Sequence, residues 1–171
     1  MENIFENLME ESSDFELEDC GELDMKMYHN SGMLKMFAKV NQNQVDEVYQ
    51  QIDSLQLSSN DAILYAVMQD KTSITTKLFE RYGFVVENSK KTPLMIAAQN
   101  NNVELVKLFM SQAKSRDAAG MTALMHAVVH DSLDCIKLLK QAEKEIKDNS
   151  GWNAMQYADG FRSDEAIAAL L

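Results

Sequence analysis

The sequence TPLMIAA at residues 92–98 returns in altered form as TALMHAV at residues 122–128. The same pattern occurs as DAILYAV at 61–67 and as NAMQYAD at 153–159, so the four starts are 31, 30 and 31 residues apart. One column of the four segments is always alanine, and the residue three positions earlier is always large and apolar. A bulky residue followed one turn later by a small one suits a helix that a neighbour approaches closely. The alanines are Ala66, Ala97, Ala127 and Ala158, and the apolar residues are Ile63, Leu94, Leu124 and Met155.

A second apolar pattern follows each of these segments after a short polar stretch. Its i, i+3, i+5 and i+6 spacing predicts a second helix with a wide apolar stripe. The connections QNNN (99–102) and VHDS (129–132) have the length of a helix–helix turn. Each unit is therefore predicted to be a pair of antiparallel helices. The stripe of the two clearest copies comprises Val103, Leu105, Val106, Leu108 and Phe109, and then Leu133, Cys135, Ile136, Leu138 and Leu139.

One such helix pair cannot enclose its own apolar faces, so the copies are expected to stack against one another. This predicts an all-α solenoid with a continuous surface along one side. The helix starts have matching local chemistry: Thr92 is a predicted N-cap with Pro93 at the first helical position, and Thr122 is expected to cap likewise. The D-x-x-G segments 117–120 and 148–151 predict turns immediately before two of the helices.

TPLMIAA, TALMHAV and the following VELVKLF and LDCIKLL resemble the ankyrin repeat, whose TPLH-x-AA helix and second helix cover residues 59–171. The resemblance implies an ankyrin-repeat solenoid of about four to five repeats, the first of them a capping repeat with a poor signature. Their approximate ranges are 31–58, 59–86, 87–116, 117–147 and 148–171.

The chain departs from the usual ankyrin pattern in two respects. The repeats are 30 to 31 residues long, whereas ankyrin repeats usually have about 33. In addition, the histidine of TPLH is replaced, which predicts loss of its polar tie to neighbouring turns. These features, with phrases such as AAGMTALMHAV, are similar to the short ankyrin arrays of diplomonad protists. The replacing residues are Leu64, Met95, Met125 and Gln156.

Residues 1–30 are predicted to form a separate acidic arm. The net charge is −11, from 27 acidic and 16 basic side chains, and residues 1–24 hold ten of the acidic residues but no Lys or Arg. Such a composition is typical of a segment that is disordered alone and folds on binding. The remainder is nearly neutral, with 27 − 10 = 17 acidic and 16 basic residues, so nucleic-acid binding is not expected.

The sequence contains no secretory signal and no long apolar run, so no membrane association is expected. Cys20 and Cys135 lack a C-x-x-C partner, which fits reduced thiols. A cytoplasmic protein is therefore predicted, with the nucleus as the alternative.

No catalytic, cofactor or metal site is predicted. His126 and His130 have the spacing of two ligands on one helical face, but no third or fourth ligand is fixed by spacing. Cys135 aligns with Leu105 of the apolar stripe, which favours a structural thiol over a nucleophile. Nucleotide-binding and hydrolase motifs are absent from the sequence, so an enzyme is not expected.

The resemblance implies that a protein partner binds along the turn tips and the concave face of the first helices. Carried over position by position, the candidate partner-binding residues are Lys90, Lys91, Met121 and Trp152 at the tips, and Gln99, Asn100, Val129 and His130 at the far ends of the helices. Trp152 is either a binding hot spot or a cover for the last repeat.

Basic residues gather between the repeats and form either a functional basic stripe or a mixed solvated edge. The basic set is Lys90, Lys91, Lys114, Arg116, Lys144 and Lys147, and the acidic residues among them are Glu87, Asp117, Glu145 and Asp148.

The leading functional interpretation is a non-catalytic protein–protein interaction module, an adaptor or scaffold. One alternative is a regulatory subunit or inhibitor that covers an enzyme, with the acidic arm modulating access by docking on the lysine-bearing tips. Another is an arm that mimics nucleic acid, or one that only aids solubility. Self-association through the carboxy-terminal repeat is left open, because its apolar stripe ends without a polar capping segment.

Overall fold

Ten α-helices form five successive pairs in the computed structural model, which describes residues 31–86 and 90–171. The predicted acidic arm and Glu87 lie outside the described residues. The helices are α1 Ser31–Asn41, α2 Val45–Leu55, α3 Ser59–Met68, α4 Thr72–Tyr82, α5 Pro93–Gln99, α6 Val103–Leu108, α7 Ala123–Val129, α8 Leu133–Glu143, α9 Ala154–Phe161 and α10 Asp164–Leu170. A 3-10 turn, Met110–Gln112, follows α6. The described residues contain no β-strand, so the all-α prediction is confirmed.

The pairs stack through their nearest neighbours. The first helices α1, α3, α5, α7 and α9 contact one another in that order, and the second helices α2, α4, α6, α8 and α10 do the same. Each helix also packs on the other member of its own pair. The apolar stripes therefore form one core that runs from Met33 to Leu170, and the predicted helix-turn-helix solenoid is confirmed. None of the helices among the described residues is long and apolar enough to cross a membrane.

The repeated alanine is fully buried in each of its four copies on α3, α5, α7 and α9. The carbonyl of each alanine accepts a hydrogen bond from the backbone N–H five residues later, which fixes the same helix ending in every copy. In α1 the carbonyl of Lys39 makes the equivalent bond, to the N–H of Gln44. Lys39 also pairs with Glu47 at 2.6 Å. The first pair thus shares the backbone geometry of the others although it lacks the alanine that identifies them in the sequence.

In each pair, the turn between the two helices contains one residue with a left-handed backbone conformation. Asparagine and aspartate tolerate this conformation better than other side chains do, and four of the five turns use them. Arg162 in the last pair is the exception, with φ 57°. The other four residues are Asn43, Asp70, Asn101 and Asp131, with φ between 52° and 56°.

Replacing Arg162 by asparagine is therefore expected to raise the free energy of unfolding by about 0.5–1 kcal/mol. The Arg162 side chain is exposed, so little packing is lost. Denaturant unfolding of the full chain measures the change. Arg162→Ala is the control, because alanine also removes the side chain but has no greater tolerance of positive φ. Equal stability of the two variants would contradict the explanation.

The amino termini of α5 and α7 are satisfied in different ways. The hydroxyl of Thr92 accepts the backbone N–H of Met95 at 3.4 Å, as expected of an N-cap. The same expectation for Thr122 is wrong, because its hydroxyl makes no capping hydrogen bond and has no partner among the described residues. The N–H group of Leu124, one residue before the group that Thr122 was expected to cap, is bound by a side chain from α8, the carboxylate of Glu143.

Glu143 is a buried acid that joins two repeats. One carboxylate oxygen accepts the N–H of Leu124 at 2.8 Å and the other accepts the N–H of Lys114 at 2.7 Å. The first of these lies at a helix amino terminus, where the backbone dipoles favour a negative charge. Gln112, 143 − 112 = 31 residues earlier, binds the N–H of Leu94 at 3.1 Å in the same manner.

Candidate protein-interaction surface

The eight candidate residues fall into two rows at opposite ends of the first helices. The tip row, Lys90, Lys91, Met121 and Trp152, precedes the N-cap residues of α5, α7 and α9. The far row, Gln99, Asn100, Val129 and His130, lies at the carboxyl ends of α5 and α7. Helix α5, which connects the rows, is seven residues long, which corresponds to about 10 Å.

The two D-x-x-G turns are closed by the aspartate side chains. One carboxylate oxygen of Asp117 accepts the N–H groups of Ala119 and Met121, both at 2.9 Å. Asp148 binds the N–H groups of Ser150 and Trp152 in the same way, at 2.9 and 2.8 Å. These bonds fix the backbone of Met121 and Trp152. The turn chemistry predicted from the sequence is therefore confirmed.

Adjacent turns are also bonded to each other. The backbone N–H of Asn149 donates to the carbonyl of Ala119 at 3.0 Å, and its side-chain amide donates to the carbonyl of Ala118 at 2.9 Å. Gly120, with φ 81°, permits this approach, because a Cβ there would lie 2.7 Å from the backbone nitrogen of Asn149. The tips of the fourth and fifth pairs are thus held in a fixed relation.

The turn geometry makes the exposed tip surface basic. We define the tip edge as residues 90–91, 113–121 and 144–152. Asp117 and Asp148 are each only 8% exposed, so their oxygens are occupied within their own turns, and the basic side chains of the tip edge outnumber its acidic ones. Among these residues, Glu145 is the acidic side chain that reaches solvent. The exposed basic residues are Lys90, Lys114, Arg116, Lys144 and Lys147.

The second oxygen of each turn aspartate binds a side chain from the following helix. His126 Nε2 lies 2.8 Å from Asp117, and the hydroxyl of Tyr157 donates to Asp148 at 2.7 Å. The expected loss of the polar tie between helix and turn is thus wrong for these two repeats. The hydrogen bond to the turn is made by the residue after the replaced histidine position, so the TPLH pattern does not predict it.

Burial and hydrogen bonding shift the pKa values of these groups. Burial lowers the pKa of His126 below its usual value, although the bond to Asp117 opposes the shift. The hydrogen bond from Tyr157 lowers the pKa of Asp148. Burial, together with the same bond, raises the pKa of Tyr157 to about 12. At neutral pH Asp148 is therefore ionised and Tyr157 neutral, and burial favours the neutral form of His126.

His126 should make folding stability depend on pH. The imidazole titrates near 6.5 when unfolded, and the folded protein resists its protonation. Below that pH the unfolded chain takes up a proton that the folded chain excludes, so stability is lost as the pH falls from about 7 to about 5. His126→Tyr, which copies the pairing of Tyr157 with Asp148, should lessen this loss. Denaturant unfolding at both pH values compares the variant with the unchanged chain; identical pH slopes would contradict the assignment.

His126 and Cys135, which were considered for metal binding and nucleophilic attack, are buried in the fold. His126 is buried against Asp117, and the described residues contain no group of three or more His, Cys, Asp or Glu able to hold a metal ion. Cys135 is fully buried. Burial raises its pKa to about 11, so the thiolate needed for nucleophilic attack is scarce at neutral pH. Cys20 lies outside the described residues.

Trp152 packs with one part of its ring and exposes the rest. The ring meets that of Tyr157 edge to face, with centroids 5.6 Å apart, and it lies close to Gly160 of α9. Nevertheless 45% of the residue remains exposed. It is therefore a partial cover for the last helix pair and also an exposed aromatic surface.

The far row is tied to neighbouring repeats at several points. The side-chain amide of Asn100 donates to the carbonyl of Val67 at 3.2 Å, and the hydroxyl of Ser132 donates to the carbonyl of Gln99 at 2.9 Å. His130 is exposed. Sequence reasoning missed Phe161, which is 60% exposed and lies one repeat after His130, since 161 − 130 = 31. Extending the repeat step to the last helix would have found it.

Comparison with known proteins agrees with this architecture. The family model described as ankyrin repeats in three copies matches residues 27–115 and 94–171. A search of curated proteins found no significant match. The two matched ranges together span most of the sequence, and the five described helix pairs stack as such repeats do. The chain therefore belongs to the ankyrin-repeat family.

Proposed function

We propose that the chain is a non-catalytic adaptor or scaffold that binds a protein partner through the tip edge and the face of the first helices. Ankyrin repeats are protein–protein interaction modules, which supports the general class. The observation that carries the specific proposal is Trp152, a large aromatic residue that stays 45% exposed on a turn held by Asp148. Rigid aromatic side chains of this kind are frequent binding hot spots.

The surroundings of Trp152 support this role because they fix the ring before a partner arrives. Its backbone N–H is bound by Asp148, and its ring contacts Tyr157, which is itself bonded to Asp148. A side chain that is already ordered loses less conformational entropy on binding. Phe161 on the same helix pair adds a second exposed aromatic side chain, 60% exposed.

Affinity capture from the native cell, with the full chain as bait, tests the proposal. Trp152→Ala should reduce retention of a specific, saturable partner at least about tenfold, the effect of a hot spot contributing about 1.4–2 kcal/mol. Lys107→Ala is the matched control, because this exposed residue lies on second helix α6, away from the tips. Equal loss in both variants, or no loss in either, would count against the surface. Denaturant unfolding of each variant excludes a general loss of structure.

The regulatory or inhibitory alternative predicts a different effect on the activity of the captured partner. If the partner is an enzyme, the adaptor proposal expects its activity to persist in the complex. Inhibition in proportion to occupancy would instead select the alternative. An arm acting as a nucleic-acid mimic would capture basic proteins even from the Trp152→Ala variant.

The boundaries of the arm and the repeats, the family subtype, the location and self-association are also proposals. We propose that an arm of residues 1–30 precedes five repeats with the ranges 31–58, 59–86, 87–116, 117–147 and 148–171, which the order of helix pairs supports. The short repeat step supports a relation to the ankyrin arrays of diplomonad protists. A cytoplasmic location and self-association through the last repeat are further proposals, which fluorescence tagging and sedimentation at several concentrations test.

A further inference from the structure

We infer that residues 1–24 of this chain dock on the tip edge of its own array and cover Trp152. A partner that uses the tips must then displace this segment. The regulatory consequence rests on the proposed function, whereas the docking itself is measurable without any partner. Four properties of the molecule carry the inference: where the segment joins the array, the charge of the two surfaces, the distance to be covered, and the apolar contact that Trp152 offers.

The topology places the start of the array on the tip edge. First helices α5, α7 and α9 each begin directly after a tip, at Pro93, Ala123 and Ala154. Helix α1 is the first helix of its pair and packs on α3 in the same row. Its first residue, Ser31, therefore lies at the edge that carries the tips. The chain before residue 31 enters the array beside the surface that we assign to it.

The charges of the two surfaces are complementary. Residues 1–24 contain ten acidic side chains and no Lys or Arg. On the tip edge, the carboxylates of Asp117 and Asp148 are turned into their own turns, whereas Lys114, Lys144 and Lys147 are exposed. Lys144 has only a 3.9 Å contact with Glu145, and an exposed pair of this kind is weak. The tip edge thus attracts a strongly acidic segment over a distance set by salt.

The length of the segment is sufficient to reach the last tip. Adjacent packed helices lie about 8–10 Å apart, so four steps from α1 to α9 span about 40 Å. An extended chain covers about 3.3 Å per residue, so 24 residues cover up to about 80 Å. The segment can therefore follow the tip edge without full extension and still contact Trp152.

Trp152 supplies an apolar contact that charge alone would not give. About half of its surface is available, at 45% exposure, next to Lys147 and the turn of Asp148. Aromatic and aliphatic residues are interspersed among the acids of residues 1–24. These include Ile4, Phe5, Leu8, Met9, Phe15 and Leu17. An acidic segment with interspersed apolar side chains matches an edge that carries exposed lysines and an exposed indole.

The single tryptophan of the chain allows the docking to be measured directly in the full-length protein. Acrylamide quenching of Trp152 fluorescence reports whether the ring is covered. We expect the quenching constant to rise about twofold between about 20 mM and about 500 mM salt, as screening releases the segment. A full-length variant with the acids of residues 10–24 changed to amides should already show the higher value at low salt.

Matched controls separate docking from general effects of charge. Lys144→Gln with Lys147→Gln should raise quenching at low salt, whereas Lys107→Gln with Lys137→Gln, on the exposed side of the second helices, should not. Equal quenching in all variants at both salt concentrations would overturn the inference. A quenching constant that falls with increasing protein concentration would also overturn it, because the segment would then cover another molecule. Partner capture that depends on Trp152 without any change in quenching would leave the proposed function standing and reject the docking.

Discussion

Replacing Phe109 by alanine is expected to lower the free energy of unfolding by about 3–5 kcal/mol. Phe109 is fully buried and is the largest of the fully buried side chains in the part of the chain that the structure describes. Its ring meets that of Phe79 edge to face, with centroids 4.8 Å apart, so it joins the second helix pair to the third. The substitution would leave a cavity at the interface on which the stacking of these pairs depends.

Phe161→Ala is the matched control for this experiment. The same atoms are removed from a ring that is 60% exposed, and the expected loss is below about 0.5 kcal/mol. Urea unfolding followed by circular dichroism measures both variants. Similar losses would contradict the core position of Phe109. Because Trp152 lies in the last pair, its fluorescence would also show whether the cavity uncouples the two ends of the array.

Glu143→Ala is expected to lower the free energy of unfolding by about 3 kcal/mol, because two hydrogen bonds to a charged group are lost together. The residue is 1% exposed, and the N–H groups of Leu124 and Lys114 would lose their acceptor. The first belongs to helix α7 and the second to the preceding repeat. The substitution therefore weakens both a helix start and the contact between two repeats.

Glu143→Gln tests whether the acceptor geometry is responsible for this effect. Glutamine retains one acceptor oxygen, and Gln112 shows that such an oxygen binds the equivalent N–H group of Leu94. The glutamine variant should lose about half as much stability as the alanine variant. Equal losses in the two variants would show that the hydrogen bond to Leu124 is not what stabilises the fold.

The helix pairs and their stacking could be predicted because they depend on regular spacing. Burial of the column that contains Ala127 is a property of every copy, so four occurrences reinforce one another in the sequence. The turn aspartates Asp117 and Asp148 were equally predictable, because their bonds to nearby N–H groups are local. Trp152 was identified for the same reason, since it occupies a repeated position after a turn glycine.

The orientation of individual polar side chains could not be predicted in this way. Glu143 has the same residue type as the exposed Glu145, and only its packing against helix α7 and the preceding repeat makes it a buried acceptor. Thr122 has the sequence context of a cap, yet its hydroxyl makes no capping hydrogen bond. The burial of Asp117 and Asp148 also depended on such orientation, and it leaves mainly basic side chains in contact with solvent at the tip edge.

The nearest-neighbour arrangement of the helix pairs has a mechanical consequence. Each pair is held mainly by the one before it and the one after it, and the main packing contacts do not join the first described pair to the last. Small rotations at the four interfaces between successive pairs therefore accumulate along the array. The relative orientation of the first and last described pairs can change in this way while few individual contacts need to break.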